Sequence, residues 1–133
     1  MPVAKVVLKR GRANPVWRGH PWVFSGAIQK LPPGLSPGDI VAVHDQDDKL
    51  IGHGFANPRS QIAVRMLSLG ELHAGALPGV ADHTLPQTAL VASLISRRIH
   101  EASLLRRSIG LPRSDTTAYR LVNSEGDGLP GLI

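Results

Sequence analysis

The chain has 133 residues, 42% of them apolar and only 4% aromatic, with eleven prolines and fourteen glycines that favour short elements. This length predicts one ordinary domain, or one small domain and the start of another. No segment approaches the roughly 18–20 apolar residues that span a bilayer, and the N-terminus lacks the pattern of a signal peptide. Because there is no cysteine, disulfides, cysteine-ligated metals and a cysteine nucleophile are excluded within these residues, and a cytoplasmic location is expected.

The positive charge is confined to the first half of the sequence. Residues 1–67 contain nine Lys or Arg and four Asp or Glu, whereas residues 68–133 contain six of each, so the whole net charge of +5 belongs to the first half. The first acidic residue is Asp39, which follows six basic ones. Such a region has the electrostatics of a phosphate-binding surface, although a merely basic, solvated surface is equally compatible with charge alone.

Short β-strands are predicted in the first 67 residues. Four segments have the pattern of strands: VAKVVLK (3–9), DIVAVHD (39–45), KLIGHGF (49–55) and QIAVRML (61–67). The second and third flank the polar turn 45–48, which predicts a hairpin. Gly/Pro turns separate the others, and Asn57 before Pro58 is interpreted as serving one of them. Strands of this length and spacing predict a small closed or partly closed barrel, without fixing the strand order.

One long helix is predicted from about Leu85 to Ile109, after an aperiodic linker at 68–84. Apolar residues recur every three to four positions and form one stripe: Val91, Leu94/Ile95, Ile99, Ala102, Leu105 and Ile109. Its ends are marked by Thr84 or Asp82 as the N-cap and by Gly110 and Pro112 as stop signals. Arg97 and Glu101, four positions apart, predict a weak ion pair. The basic pairs 97–98 and 106–107 are interpreted as a solvated face, because the apolar stripe alone accounts for the helix.

The sequence GDGLPG at 126–131 has the spacing G-x-G-x-x-G of nucleotide-binding loops. Such a loop must follow a strand and open a helix whose amides hold the anion. Here it follows polar residues, contains Pro130, and has only two residues after it. We therefore interpret it as a glycine-rich turn before a strand that starts near Leu132, not as a cofactor site. Because the sequence stops on apolar residues there, we expect the 133 residues to be the N-terminal portion of a longer protein.

Aromatic and basic residues cluster in NPVWRGHPWVFSGAI, residues 14–28. Three of the five aromatic residues of the chain lie here, interleaved with a basic residue, glycines and a histidine. RNA is bound through cations, flat ring faces and close backbone approach, so this composition favours an RNA-binding surface. Trp17 is predicted to be exposed, whereas Trp22 and Phe24 are predicted to fill the barrel core and His20 to cap a turn. The six histidines lack metal-ligand spacing, so no metal site is expected.

Three segments occur in the order of a known family: HPWVFSGAI (20–28), GHGFANPRSQIAVRML (52–67) and YRLVNSEGDGLPGLI (119–133). They closely resemble the N-terminal part of bacterial class I S-adenosylmethionine-dependent rRNA methyltransferases, of the large-subunit rRNA cytosine-5 methyltransferase I type. The resemblance implies a mainly β fold with one long helix. Its parts would be a PUA-like β pseudo-barrel at 1–67, a linker at 68–84, and at 85–133 the helix and first strand of a truncated α/β central domain. A Rossmann-like domain that binds S-adenosylmethionine would follow residue 133.

The resemblance implies RNA-facing roles for six residues: Arg12, Arg18, Gly19, His20, Ser25 and Gly26. Charge adds Lys9 and Arg10 as candidates, and predicted exposure adds Trp17. The implied function is to bind large-subunit rRNA and position it for methylation of a cytosine at C5 by the downstream domain. That reaction needs a cysteine thiolate to attack C6. No catalytic, cofactor or metal residue is therefore assigned in this chain, and the 133 residues alone are expected to be inactive.

Other functions are compatible with the same residues. The chain could be a stand-alone RNA-binding module, or a PUA domain attached to another RNA-modifying domain such as a pseudouridine synthase, against which EGDGLPG counts. The barrel could also be only a structural spacer. The expected partner is large-subunit rRNA, with no membrane and no metal, and a homodimer of the full-length protein is left open.

Overall fold

The computed structural model describes residues 3–73 and 85–132. The chain divides into two compact units, Met1–Leu72 and His73–Ile133, which are described separately. The first unit is built from β-strands and the second contains a long helix. The predicted mainly β fold with one long helix is therefore confirmed.

Six strands form the first unit: β1 (Ala4–Leu8), β2 (Trp22–Phe24), β3 (Ile28–Lys30), β4 (Ile40–His44), β5 (Leu50–Ala56) and β6 (Ile62–Leu69). The four longest confirm the four predicted strands, and β4 and β5 form the predicted hairpin. The sequence did not predict β2 and β3, which have three residues each and are joined by a 3-10 turn at Ser25–Ala27. A short helix, α1 (Asn14–Trp17), lies between β1 and β2 in the chain.

The strand order requires the sheet to close on itself. The strands are hydrogen-bonded in the order β2-β6-β5-β4-β1-β3, antiparallel except for the pair β1–β4. In a flat sheet the edge strands β2 and β3 would lie about 24 Å apart, five strand spacings of about 4.8 Å. The step from Phe24 to Ile28 spans at most about 14 Å, so the sheet must curl until its edges approach. The predicted barrel is confirmed.

Backbone hydrogen bonds from the 3-10 turn complete the barrel at the junction of β2 and β3. The N–H of Ser25 donates to the carbonyl of Gln61 at 2.8 Å, next to β6. The carbonyl of Ala27 accepts from the N–H of Lys9 at 2.8 Å, directly after β1. The turn is thus bonded to both neighbouring strands, which fixes the position of the residues on β2.

Aliphatic side chains from alternating strand positions fill the barrel. Seven of them are less than 2% exposed: Val6, Leu8, Val23, Val41, Val43, Ile51 and Val64. On β2 the inward residue is Val23, so its neighbours Trp22 and Phe24 point to the other side of the strand. Phe24 is 47% exposed, and the prediction that Trp22 and Phe24 fill the core is wrong. The small barrel is already filled by branched aliphatic side chains, and a single valine fits where two large rings would not.

His53 is a buried titratable residue of the barrel. It lies on β5, and its Nδ1 is 3.1 Å from the carbonyl oxygen of Gly70. Burial lowers the pKa of His53 below its ordinary value of 6.5, against the smaller raising effects of the Gly70 carbonyl and Glu71. The folded barrel therefore favours the neutral ring, with Nδ1–H donating to Gly70.

We expect the stability of the chain to depend on pH through His53. The unfolded residue binds a proton near pH 6.5 and the folded one only at lower pH. The stabilisation by the neutral ring is therefore complete above pH 6.5 and is lost as the pH falls through the lowered pKa. Urea unfolding at about pH 8, 6.5 and 5 should show a decline below pH 6.5 that is smaller in His53→Asn, which retains a donor without titrating. Equal declines in the two proteins would contradict this role.

The second unit contains α2 (Gln87–Ser108), which confirms the predicted long helix. Pro86 occupies the N-cap without a side-chain bond, while Thr84 and Asp82, the predicted caps, lie outside the described residues. Gly110 follows the helix with φ of +82°, as its predicted role as a stop signal requires. The predicted linker starts too early, because β6 continues to Leu69, and its residues 74–84 lie outside the described part of the chain.

The apolar stripe of α2 is only partly buried. Ala102 packs with Val122 and Leu129, and Ile95 and Ile99 lie against this cluster. The last two predicted members of the stripe, Leu105 and Ile109, are instead 52% and 64% exposed. The prediction is wrong for these two because, within the described residues, the apolar contacts with the 122–129 segment extend only to Ala102. The predicted ion pair is confirmed, with 3.8 Å between Arg97 Nε and Glu101 Oε1.

Two arginines of α2 hold the GDGLPG segment. Arg106 donates from Nη1 and Nη2 to the two carboxylate oxygens of Asp127 at 2.8 and 2.7 Å, and Arg98 donates to the carbonyl of Gly128. The hydrogen bonds from Arg106 are the largest cause of a lowered pKa of Asp127, and the backbone N–H of Asn123 lowers it further. The interpretation of 97–98 and 106–107 as a solvated face is therefore wrong for Arg98 and Arg106. A segment distant in sequence folds back onto that face.

GDGLPG itself forms the predicted glycine-rich turn. A 3-10 turn at Ser124–Asp127 ends at Gly128, whose φ of +67° favours glycine. The strand expected near Leu132 has not begun at that residue. The N–H of Leu132 donates to the carbonyl of Leu129 and its own carbonyl accepts from Ser124, so both groups close the turn and are not available for strand pairing.

Candidate nucleic-acid interface

The segment between β1 and β3 positions most of the predicted site residues. In α1, Val16 is buried and anchors the helix, whereas Trp17 remains 37% exposed, as predicted. Gly19 ends α1 with φ of +88°, and its N–H donates to the carbonyl of Val16. The chain then turns through His20 into β2, so α1 and β2 present their outward side chains close together.

His20 fixes the start of β2. Its Nδ1 lies 3.2 Å from the backbone nitrogen of Trp22 and 3.1 Å from the carbonyl oxygen of the same residue. An unprotonated Nδ1 accepts from that N–H, and a protonated one donates to that carbonyl. The prediction that His20 caps a turn is confirmed.

Three outward rings form a cluster on this surface. Ring centroids lie 6.1 Å apart for His20 and Trp22, 6.3 Å for His20 and Phe24, and 6.4 Å for Trp22 and Phe24. The Trp22–Phe24 and His20–Trp22 pairs are edge-to-face, which is a favourable arrangement for aromatic rings. The guanidinium of Arg65, the β6 partner of Trp22, lies 5.7 Å from the centroid of the indole. These contacts hold the three rings in a fixed arrangement at the surface of the barrel.

The ring cluster lines a cleft of about 530 Å³, which we call the aromatic cleft. Its residues are Arg12, Pro15, Val16, His20, Trp22, Val23, Phe24, Gly26 and Ala27. Lys9 lies beside it, since its ammonium donates to the carbonyl of Gly26 at 2.9 Å. None of these lining residues is acidic. The cleft therefore combines flat ring faces with positive charge, the two features that bind an unstacked base and its phosphate.

A second cleft, which we call the polar pocket, lies between the β4–β5 turn and the residues that precede and include α1. It measures about 340 Å³ and is lined by Arg10, Gly11, Ala13, Asn14, Trp17, Asp45 and Gln46. The ammonium of Lys49 lies 5.1 Å from the centroid of the Trp17 indole. The two tryptophans of the chain thus belong to different clefts.

The nine predicted RNA-binding residues are distributed around these two clefts. Arg12, His20 and Gly26 line the aromatic cleft, and Arg10 and Trp17 line the polar pocket. Lys9 contacts Gly26, and Ser25 follows Phe24 in the 3-10 turn. Arg18 and Gly19 are exposed at the end of α1, and neither described cleft includes them. The roles of all nine in RNA binding remain predictions.

Four further residues of these surfaces were missed from the sequence as binding candidates: Trp22, Phe24, Lys49 and Arg65. Trp22 and Phe24 were assigned to the core on size alone. The alternation in WVF places both rings on one face of the strand and Val23 on the other, but it does not indicate which face is inward. Arg65 lies on β6, and the strand register brings it to Trp22; Lys49 lies directly before β5 and reaches Trp17 only through the tertiary fold.

The GDGLPG segment does not fit a dinucleotide or S-adenosylmethionine loop. Such a loop leaves backbone groups open to the ligand at the start of a helix. In GDGLPG the Asp127 carboxylate and the Gly128 carbonyl are bonded to arginines, and a side-chain atom added at Gly126 would lie 2.8 Å from Asn123. Within residues 3–73 and 85–132 there is also no group of three potential metal ligands, and none of the helices is sufficiently long and apolar for a membrane span.

Comparison with known proteins identifies the class of the first unit. Residues 6–69 match the family of PUA-like domains, and this part of the chain is therefore a PUA-like domain. Over 128 residues, or 96% of the chain, the identity is 33% to ribosomal RNA large subunit methyltransferase I of Erwinia tasmaniensis and 30% to that of Serratia proteamaculans. The resemblance to this family is confirmed. The matched part is 28% of each relative, so the chain spans less than a third of their length.

Solved structures show the same fold. A protein of Streptococcus mutans, described as a SAM-dependent methyltransferase, superimposes with a TM-score of 0.67 over 97% of this chain and 29% of its own, at 19% identity. A methyltransferase in complex with SAH superimposes with a TM-score of 0.66 at 18% identity, with the same shares of the two chains. The fold described above thus also occurs within larger methyltransferases.

Proposed function

We propose that the PUA-like domain binds RNA through the aromatic cleft. The observation that carries this proposal is the mutually oriented set of three rings beside Arg12: His20 and Phe24 are exposed, and Trp22 is half-buried. An exposed aromatic ring stacks on a nucleobase with any sequence, and removal of one such ring typically costs about 1–3 kcal/mol of binding. A protein that only needed these rings for stability would bury them.

The basic residues around the cleft support the same function. Arg12 lines it, Lys9 bonds to its Gly26 carbonyl, and Arg65 lies over Trp22. Their charges can neutralise phosphates on either side of a stacked base, and Arg can stack as well. The position of these cations next to the rings, and not their number, distinguishes the surface from a generally basic one.

Within the full-length protein, we propose that this domain positions large-subunit rRNA for methyl transfer. The name shared by the relatives supports an rRNA methyltransferase, and S-adenosylmethionine is the corresponding methyl donor. We further propose that the target atom is C5 of a cytosine, as the sequence resemblance implies, and that the enzyme works in the cytoplasm. A division into the PUA-like domain, a linker that begins after β6, and the start of a central domain at 85–133 belongs to the same proposal. The thiolate for this reaction would lie outside these 133 residues, which contain no cysteine.

Substitution of Phe24 by alanine tests the RNA-binding function. We expect Phe24→Ala to weaken binding of a labelled large-subunit rRNA hairpin by roughly 5- to 150-fold, because one stacking face is lost. Fluorescence anisotropy of the labelled RNA measures the change. The effect should be visible without loss of stability, since Phe24 is 47% exposed.

Leu69→Ala is the matched control. Leu69 is an exposed apolar residue of the same barrel, at the end of β6, with 52% exposure. Its removal should leave the affinity for the hairpin within about twofold, because it lines neither cleft. The proposal fails if Phe24→Ala and Leu69→Ala bind the hairpin equally well.

A further inference from the structure

Asp45 is a buried carboxylate in the wall of the polar pocket. It is 8% exposed, and its Oδ1 accepts from the backbone N–H groups of Asp47 and Lys49 at 3.0 and 2.9 Å. These two bonds close the β4–β5 turn. Within the described residues, Oδ2 accepts no hydrogen bond. In Asp45, Oδ1 therefore holds the turn, whereas Oδ2 can still accept hydrogen bonds from a ligand in the polar pocket.

The remaining wall of the polar pocket provides an aromatic face and positive charge. The Trp17 indole, over which Lys49 lies, is 37% exposed and supplies the aromatic surface of the pocket. Arg10 and the side-chain amide of Asn14 also line the pocket. A ligand that matches all of these groups has hydrogen-bond donors for a carboxylate, a flat ring for the indole, and an anionic group for the cations.

We infer that the polar pocket binds a guanine nucleotide of single-stranded RNA, as a second site next to the aromatic cleft; this inference rests on the proposed RNA binding. Guanine is the standard base with two adjacent donors, N1–H and the N2 amine, on its Watson–Crick edge, and the two lone pairs of Asp45 Oδ2 can accept both. The Asn14 amide can donate to O6, Trp17 can stack on the ring, and Arg10 can bind the phosphate. Uracil has one such donor, and it lies between two acceptors. In adenine and cytosine the amine lies beside a ring-nitrogen acceptor, and this acceptor repels a carboxylate.

The two tryptophans allow each cleft to be observed separately. In Trp22→Phe the only indole is Trp17 of the polar pocket, and in Trp17→Phe it is Trp22 of the aromatic cleft. The probes are uridine pentanucleotides with guanosine, adenosine, cytidine or uridine at the centre, and free guanosine monophosphate. We expect the guanosine pentamer to quench Trp17 with about tenfold higher affinity than the other three pentamers. Free guanosine monophosphate should bind at least about tenfold more weakly than the guanosine pentamer, because it lacks the neighbouring phosphates.

Asp45→Asn is the decisive variant, made in the Trp22→Phe background. Asparagine keeps an oxygen for the two turn N–H groups and replaces the unused oxygen by an amine, so the preference for guanosine should fall to within about twofold. Asp48→Asn is the matched control, because it removes the same charge from the same turn at an exposed residue whose carboxylate pairs with Lys5 and which is not among the residues that line the pocket. It should retain the preference.

Replacing the central guanosine by inosine tests the same bonds without altering the protein, should Asp45→Asn disturb the turn. Inosine lacks the N2 amine and should bind about tenfold more weakly than guanosine. The inference is overturned if all pentamers quench Trp17 equally, or if the guanosine and inosine pentamers bind with equal affinity. If free guanosine monophosphate binds as tightly as the guanosine pentamer, RNA is not the source of the base. The proposed function is judged separately, by whether RNA quenches Trp22 in Trp17→Phe and whether Phe24→Ala weakens hairpin binding.

Discussion

Gly52→Ala should destabilise the barrel by at least about 3 kcal/mol, at the upper end of the cost of overpacking a core. A Cβ at Gly52 would overlap the carbonyl oxygen of Ser68 and lie 2.9 Å from the Cα of Leu69. Both atoms belong to the backbone of β6, so they cannot move aside as the end of a side chain can. Because β5 pairs with both β4 and β6, the displacement would open the centre of the sheet.

Thermal unfolding followed by circular dichroism measures this effect. For a barrel of this size, a loss of about 3 kcal/mol corresponds to a fall in Tm of roughly 12–24 °C. Gly26→Ala is the matched control, because no atom lies within 4 Å of a Cβ built there and its φ is not in the region that favours glycine. The control should change the Tm by no more than about 4 °C. A normal Tm for Gly52→Ala would mean that β5 and β6 are less closely packed than described.

The longer elements of the fold were predictable because their patterns repeat over enough residues. In β1 the alternation distinguishes the buried Val6 and Leu8 from the exposed Lys5, and the turn at 45–48 separates two apolar strands. The helix α2 is defined by a period that continues over 22 residues. In each of these elements several residues indicate the same buried face, so one residue that departs from the pattern does not change the assigned secondary structure.

The aromatic cleft could be placed in the sequence but its inward and outward residues could not. β2 has only three residues, so its two possible orientations differ by a single alternation. The hydrophobic effect favours burial of Trp22 and Phe24, which have the larger apolar area, over burial of Val23. In the closed barrel, however, Val23 is buried, because the aliphatic interior has room for one branched side chain at this point. The orientation of β2 therefore depends on the whole sheet and cannot be predicted from its three residues alone.

The roles of Arg98 and Arg106 were not predictable for a related reason. On the helix alone they are two basic residues on a polar face. Their actual partners, Gly128 and Asp127, lie 30 and 21 positions away in the sequence. The glycines of GDGLPG predict the tight turn that is found, but they do not indicate which side chains will bond to it.

Raising the salt concentration from about 50 to 200 mM should weaken RNA binding by roughly 20- to 130-fold. Three cations, Lys9, Arg12 and Arg65, lie at the aromatic cleft, and Arg10 and Lys49 lie at the polar pocket. On single-stranded RNA each neutralised phosphate contributes about −0.7 to the slope of log affinity against log salt, which gives about −2 to −3.5 for three to five contacts. A fourfold rise in salt then produces the stated range. Titrations of the labelled hairpin at four salt concentrations measure the slope.

The slope also distinguishes a localised binding surface from a generally basic protein. Arg12→Ala should reduce its magnitude by about 0.7, because one phosphate contact at the aromatic cleft is lost. Arg59→Ala removes the same charge from an exposed turn of the same barrel that lines neither cleft, and should leave the slope unchanged. If the two variants reduce the slope equally, the net charge of the chain attracts RNA without a defined site. If only Arg12→Ala reduces it, the phosphates lie beside the rings that stack the bases, and charge and stacking act on the same nucleotides.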